Sequence, residues 1–218
     1  MVSAIITAAG KNSRMLKSQK DRNLKLQNKL TLPFKDTTVI ETTIENVLSL
    51  DIDECIVVLG HYSDEIKKCI LNISDDRLKI IENSPVDVGL ATSLSNGLKE
   101  TNSKFVLCAT ADQPTVTINT FNKLIKCAIN SENPLKTIAI LRRKDYGLLK
   151  TAEGLGMPFV ANRQNLIENL KDFDDNLNPM LRTIFDKGYD FYGIKEENKL
   201  ELININTYED YEYVLDNY

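Results

Sequence analysis

The chain has 218 residues, 42% hydrophobic and 27% charged, proportions that suit a folded globular protein and exclude a disordered one. Its net charge of −4 and isoelectric point near 5.2 argue against a dedicated nucleic-acid binder. No apolar run approaches the roughly 20 residues of a membrane helix, and the start, MVSAIITAAG, lacks the basic flank of a signal peptide, so a cytoplasmic protein with no membrane partner is expected.

Apolar strand-like runs alternate with helix-like segments along most of the chain. Val2–Thr7 predicts a first strand, and the helical spacing of Ile40, Ile44, Val47 and Leu48 predicts a helix over Val39–Leu50. Cys55–Leu59 reads as the second strand and Ser63–Leu71 as a helix opened by a Ser/Asp/Glu cluster. Strands follow at Leu78–Glu82, Lys104–Ala109 and Thr137–Leu141, with helices at Thr92–Lys99 and Asn119–Asn130 between them. Beyond a loop at Gly147–Pro158, helices are predicted at Arg163–Leu170 and Pro179–Asp186, then a strand at Leu200–Ile205 and a helix from Thr207. No linker divides the chain, so a single domain over residues 1–218 is expected.

Strands separated by helices of this length pair in parallel through right-handed crossovers, with both sheet faces covered. The fold class is therefore α/β, a three-layer Rossmann-like arrangement with a mostly parallel sheet. Ligands in such folds bind beyond the carboxyl ends of the strands, which directs attention to the residues that follow each strand.

Ile5–Met15 is the first such segment. Small residues Ala8, Ala9 and Gly10 allow backbone N–H groups to approach an anion, Gly10 can take positive φ, and Arg14 adds a bidentate donor fork. An ordinary strand-to-helix turn with a surface arginine explains these residues equally well. The segment is neither a Walker A loop nor a G-x-G-x-x-G fingerprint. Lys17–Lys29 follows with five basic residues, Lys17, Lys20, Arg22, Lys25 and Lys29, against one acid, Asp21. That stretch reads as a solvated loop or helix face, or as an electropositive flap beside a phosphate site.

Asp112 closes the strand at Lys104–Ala109 and suits a Mg²⁺ ligand, which needs only one or two protein oxygens beside phosphates and waters. It equally suits the start of a turn before Pro114. In Ile203–Asp210, Thr207 is a natural helix cap, and Asn206 can still turn its amide oxygen to a cation. The four cysteines, Cys55, Cys69, Cys108 and Cys127, form no C-x-x-C pair and read as buried free thiols; His61, the sole histidine, reads as a surface loop residue.

Together, TAAG-x-x-x-RM at Thr7–Met15, KLTLPF at Lys29–Phe34, NSPVDVGLATSLSNGL at Asn83–Leu98, ADQP at Ala111–Pro114, GMPFV at Gly156–Val160 and ININTYED at Ile203–Asp210 resemble the MobA-like nucleotidyltransferases, in order and over nearly the whole chain. The resemblance implies that Ala8, Ala9 and Gly10 contact a nucleoside triphosphate through backbone and that Arg14 and Lys29 bind its phosphates. It implies that Gly89 and Ser93 hold the nucleoside and that Asp112 and Asn206 bind Mg²⁺, with Arg14, Lys29 and Asp112 carrying catalysis.

TAAG with ADQP is most similar to the cytidylyltransferase branch, which implies CTP and a phosphorylated acceptor such as molybdopterin. Asn12 and Leu16 depart from the family's Ser and Gly, and Lys29 stands 14 positions after Met15, farther than the family spacing, so Lys17 competes for its role. The segment Asn176–Leu181 departs from the acceptor-side pattern, retaining mainly Arg182 and its apolar positions. Two alternatives follow: a cytidylyl- or uridylyltransferase for a sugar or alcohol phosphate, and a non-catalytic nucleotide-binding accessory protein for a molybdoenzyme partner.

Overall fold

The computed structural model describes residues 1–142, 144–171, 173 and 176–218. The chain opens with β1 (Val2–Ala8), α1 (Ser13–Asp21), a 3₁₀ turn at Lys29–Thr31 and a small hairpin of β2 (Pro33–Phe34) and β3 (Thr37–Thr38). Next come α2 (Val39–Leu48), β4 (Glu54–Leu59), α3 (Ser63–Ile70), β5 (Leu78–Glu82), α4 (Leu90–Lys99), β6 (Phe105–Thr110) and α5 (Ile118–Ile129). The second half holds β7 (Thr137–Arg142), β8 (Gly147–Leu148), β9 (Phe159–Asn162), α6 (Arg163–Leu170), α7 (Leu177–Asp186), β10 (Asp190–Lys195), a 3₁₀ helix at Lys199–Leu202 and α8 (Tyr208–Asn217).

The main sheet runs β5-β4-β1-β6-β9-β7-β10-β8. β5, β4, β1 and β6 are parallel, as the alternation of strands and helices predicts, and β7 is parallel to β10. β9 runs antiparallel to both β6 and β7, and β8 antiparallel to β10. β1 is central and buried along its whole length, so its side chains divide between two cores. Ala4, Ile6 and Ala8 face α2, α3, α5 and α8, whereas Ile5 faces α4, α6 and α7.

α4 lies close enough to the sheet that a Cβ on Gly97 would fall 2.6 Å from Cγ2 of Ile5 and 3.0 Å from Cγ2 of Val58, so only glycine fits there without a shift. α2 starts with a capping box, in which Thr38 accepts from the amide of Glu41 while Glu41 accepts from that of Thr38. Thr207 caps α8 in the same way with Asp210 as its partner, as the sequence predicts.

Several expectations require correction. Leu200–Ile205 is not a strand: it starts in the 3₁₀ helix and continues as irregular chain. The alternating pattern LELININ suggested a strand, but Glu201 is fully buried and accepts from the amides of Thr117 and Glu197 and from Thr120 Oγ1, which fixes a tight turn there. Gly147–Pro158 includes the short strand β8. α3 opens with Ser63, Asp64 and Glu65 as expected, after the N-cap Tyr62, at φ 66°. Cys55 and Cys108 are buried free thiols, but Cys69 and Cys127 are half-buried. Among the described residues, no helix is long and apolar enough to cross a membrane.

Candidate active site

The loop after β1, the loop after β6 and the segment before α8 meet at one edge of the sheet. They enclose a cleft of about 450 Å³ whose wall includes Ala8, Ala9, Gly10, Asn12, Arg14, Lys29, Ser93, Asp112 and Asn206. Eight of the nine residues assigned from the resemblance thus converge; Gly89, the ninth, is the N-cap of α4, and its neighbours Val88 and Leu90 form the wall instead. The first loop reaches this position because Gly60, at the end of β4, lets it pass: a Cβ there would be 2.8 Å from Cβ of Ala9. Gly10 does not adopt positive φ. The left-handed residue is Asn12, at φ 58° and ψ 15°.

Asp112 is the electrostatic centre. Its Oδ2 lies 2.5 Å from Nζ of Lys29 and its Oδ1 accepts from Nδ2 of Asn204 at 3.0 Å. Burial pushes its carboxyl upward in pKa, but the charge and hydrogen bond of Lys29, with further hydrogen bonds from Asn204 and Thr110, outweigh burial and hold it below the usual 3.8. Lys29 also donates to Oδ1 of Asn206 at 3.2 Å, so one ammonium bridges the carboxylate and the amide oxygen. Backbone pairing sets this geometry: the amide of Ile205 donates to the carbonyl of Asp112 at 2.9 Å, which brings Asn204 and Asn206 to either side of it.

Two hard oxygen donors converging on one positive charge also match what Mg²⁺ requires of a protein, the remaining positions being left to phosphates and waters. Among the described residues, no cluster of three or more His, Cys, Asp or Glu could hold a metal by itself. The carboxylate and amide set therefore fits a metal shared with a phosphate substrate rather than a permanent protein cage.

Ser93 lines the floor of the cleft, 2% exposed, with its hydroxyl donating to the carbonyl of Gly89 and accepting from Asn83. Lys17 is exposed on α1, in a shallow depression with Arg14, Ser18, Asp21, Thr207 and Glu209, outside the cleft wall. His61 is partly buried, its Nδ1 3.4 Å from the carbonyl of Ala9 and so tied to the first loop rather than free on the surface.

A second cleft of about 440 Å³ adjoins the first and shares Leu90, Thr110 and Asn204 with it. Gly154–Met157 and Asn176–Asn178 form its far side, and Gln113 its base. Arg182, by contrast, is exposed on α7 and absent from this wall. The resemblance did not supply Asn12, Asn204 or Thr110. The alternation of Asn204 with Asn206 in ININ is the one sequence signal that points to Asn204.

Comparison with known proteins gives this geometry its family. A description of the MobA-like NTP transferase domain matches residues 4–187. The chain is 26% identical to the molybdenum cofactor cytidylyltransferase of Escherichia coli K12 over 96% of its own length and 93% of that protein's. A nucleotidyl transferase structure from Methanothermobacter (Mth528) superposes with a TM-score of 0.92 at 36% identity, covering 100% of this chain and 97% of that one. The manganese complex of Rv0371C from Mycobacterium tuberculosis H37Rv, at 19% identity and a TM-score of 0.68, covers 100% of this chain and 99% of that one, and shares the fold. Divalent-metal use is the rule for nucleotidyltransferases of this type. The chain belongs to the MobA-like NTP transferase family and is a nucleotidyltransferase.

Proposed function

We propose that this chain, acting as one domain over residues 1–218, transfers CMP from CTP to a phosphorylated acceptor such as molybdopterin, with Mg²⁺, releasing pyrophosphate. The observation that carries the proposal is the bridge of Lys29 between Asp112 and Asn206, 2.5 and 3.2 Å away, in the wall of the first cleft, with Asp112 bonded to Asn204, which the second cleft of similar size shares. The first cleft takes the triphosphate and the second takes the acceptor, so that an acceptor oxygen attacks the α-phosphorus in line and pyrophosphate departs.

Asp112 and Asn206 would hold Mg²⁺; when bound, the ion neutralises negative charge on the phosphate oxygens. Lys29 exchanges its contacts with Asp112 and Asn206 for phosphate oxygens as the triphosphate enters. Arg14, at the cleft wall, adds the second fixed positive charge. Ala8, Ala9 and Gly10 offer backbone to the nucleotide, and Ser93 with the start of α4 at Gly89 supports the nucleoside.

A second reading keeps this chemistry with a sugar or alcohol phosphate as acceptor. It is favoured by the second cleft's Thr110, Gln113, Asn176, Asn178 and Asn204, whose hydroxyl and amide groups suit an acceptor rich in hydroxyls. Incubating the protein and Mg²⁺ with CTP, GTP, UTP or ATP against a panel of phosphorylated pterins, sugars and alcohols decides between them. Release of pyrophosphate with CTP and the pterin alone supports the first reading, and release with a sugar or alcohol phosphate supports the second. Nucleotide binding with no release across the panel would leave only an accessory role for a partner such as a molybdoenzyme.

A further inference from the structure

Lys29 reaches the cleft at the end of an unusual lead. After α1, residues Arg22–Leu26 are all exposed, held at their start by Arg22, which pairs with Glu212, and by the amide of Leu24, which donates to the carbonyl of Gln19 at 2.8 Å. Gln27 and Lys29 are held closely. Nδ2 of Asn12 donates to the carbonyl of Gln27 at 3.0 Å, and Oδ1 of the same carboxamide accepts from the amide of Lys29 at 3.2 Å. Oε1 of Gln19 accepts from the amide of Gln27 at 2.9 Å. Both backbone groups of Gln27 thus end on side-chain amides, and Asn12 grips the chain on both sides of Asn28.

Gln19 is fully buried, and its Nε2 has no hydrogen-bond partner among the described residues. A half-satisfied buried amide opposes folding, so packing gives no reason for it, whereas its contact with Gln27 does. Asn12 likewise holds a left-handed conformation that asparagine tolerates better than most residues, with 8% of its surface exposed. From this anchored point the chain enters the 3₁₀ turn, with Asn28 accepting from the amide of Leu30 at 2.8 Å and Leu30 buried. The turn directs the Lys29 ammonium toward Asp112.

The geometry points to Asn12 as the positioning residue for Lys29, with Gln19 supporting it: the two carboxamides convert an exposed lead into a fixed base for the phosphate-binding cation. This rests on the reading of Lys29 as a phosphate ligand. Asn12→Gly keeps the left-handed backbone available and removes only the carboxamide; Gln19→Met removes the buried amide at similar volume.

The test is a double-mutant cycle on the affinity for Mg²⁺–CTP, using whichever of the four common triphosphates binds best if CTP does not, with the matching nucleoside as control and thermal unfolding alongside. Asn12→Gly is expected to weaken triphosphate binding about 10-fold, within the roughly 10- to 100-fold that removal of the Lys29 ammonium itself would cost, and to leave the nucleoside unaffected. In a Lys29→Met background it should add nothing, and Gln19→Met should show the same dependence with a smaller loss. An equal loss in both backgrounds would mean that Asn12 touches the nucleotide itself or acts only on stability, and would overturn the proposal. No loss at Asn12→Gly or Gln19→Met would overturn it as well. If Lys29→Met alone leaves triphosphate binding intact, the phosphate role of Lys29 fails and positioning fails with it; a loss at Lys29→Met with an additive cycle refutes positioning only.

Discussion

The ammonium of Lys29 lies 2.5 Å from Oδ2 of Asp112 and also donates to Asn206, so before any ligand arrives a lysine joins the two oxygens assigned to a metal. The side chains of Lys29 and Asp112 are only 17% and 14% exposed, so solvent screens the pair weakly. Its consequence for pH follows from the lowered pKa of Asp112, in which the attraction of Lys29 outweighs burial. A carboxyl held below its unfolded value of 3.8 stabilises the fold above that value, and the contribution disappears as pH falls through the folded value. Urea midpoints of the ligand-free protein and Asp112→Asn should therefore converge as pH drops below about 4, relative to their separation at neutral pH. A separation that stays constant into the acid range would show that Asp112 is not stabilised in this way.

Lys29 and Lys17 separate cleanly in a binding experiment. Charge-assisted hydrogen bonds are worth about 1.5–3 kcal/mol, so Lys29→Met should weaken Mg²⁺–triphosphate binding by roughly 10- to 100-fold. Lys17→Met, altering an exposed side chain outside the cleft wall, should change affinity less than about twofold. Calorimetric titration of both variants checks the assignment, and a larger loss at Lys17 would reverse it.

The packing of α4 gives a prediction about stability. Gly97→Ala sets a methyl group 2.6 Å from Ile5 Cγ2, in a core where neither side can yield freely. Overpacking of this kind costs about 1–3 kcal/mol, readable as a lower urea midpoint. An unchanged midpoint would mean that α4 shifts outward without cost.

The thiols should divide by burial. Burial pushes the Cys55 thiol up to about 12 and raises Cys108, Cys69 and Cys127 as well, but Cys69 and Cys127 are only half-buried and so remain open to solvent. A disulfide reagent at neutral pH should modify Cys69 and Cys127 in the native protein, and Cys55 and Cys108 only after denaturant is added. Four equally reactive thiols in the native state would contradict the buried placement.

How far the sequence could be read depended on the reach of each interaction. β1, β4, β6 and β7 were legible because strands covered on both faces are largely apolar, and the exposed edge strand β5 through its run of Leu78, Ile80 and Ile81. β10 was not, since Gly193 interrupts DFYGIK; the structure needs that glycine, because a Cβ there would lie 2.5 Å from the carbonyl of Asp145. β9 spans only Phe159–Asn162 and passes straight into α6, which masked it. α1 was obscured by its basic side chains and by a left-handed Asn12 where a conventional cap would stand. In the site, Asp112 and Asn206 stood out by their positions along the chain and gained a metal role from motif resemblance, but local patterns could not reveal that Asn204 pairs with Asp112 or that Asn12 grips Gln27 and Lys29. Those bonds join residues far apart along the chain, and one-dimensional periodicity carries no record of them.

Nucleotidyl transfer in this proposal depends on Asp112, in the first cleft and bonded to Asn204 of the wall that both clefts share. The most direct test is pyrophosphate release from Mg²⁺–CTP with a phosphorylated acceptor, compared between the wild-type protein and Asp112→Ala, with circular dichroism confirming that both are folded. Asp112→Ala should keep the fold and lose pyrophosphate release by a factor of at least about 100, as expected when a residue that would hold the charge-neutralising ion is removed. Release near the wild-type rate from the folded variant would contradict it.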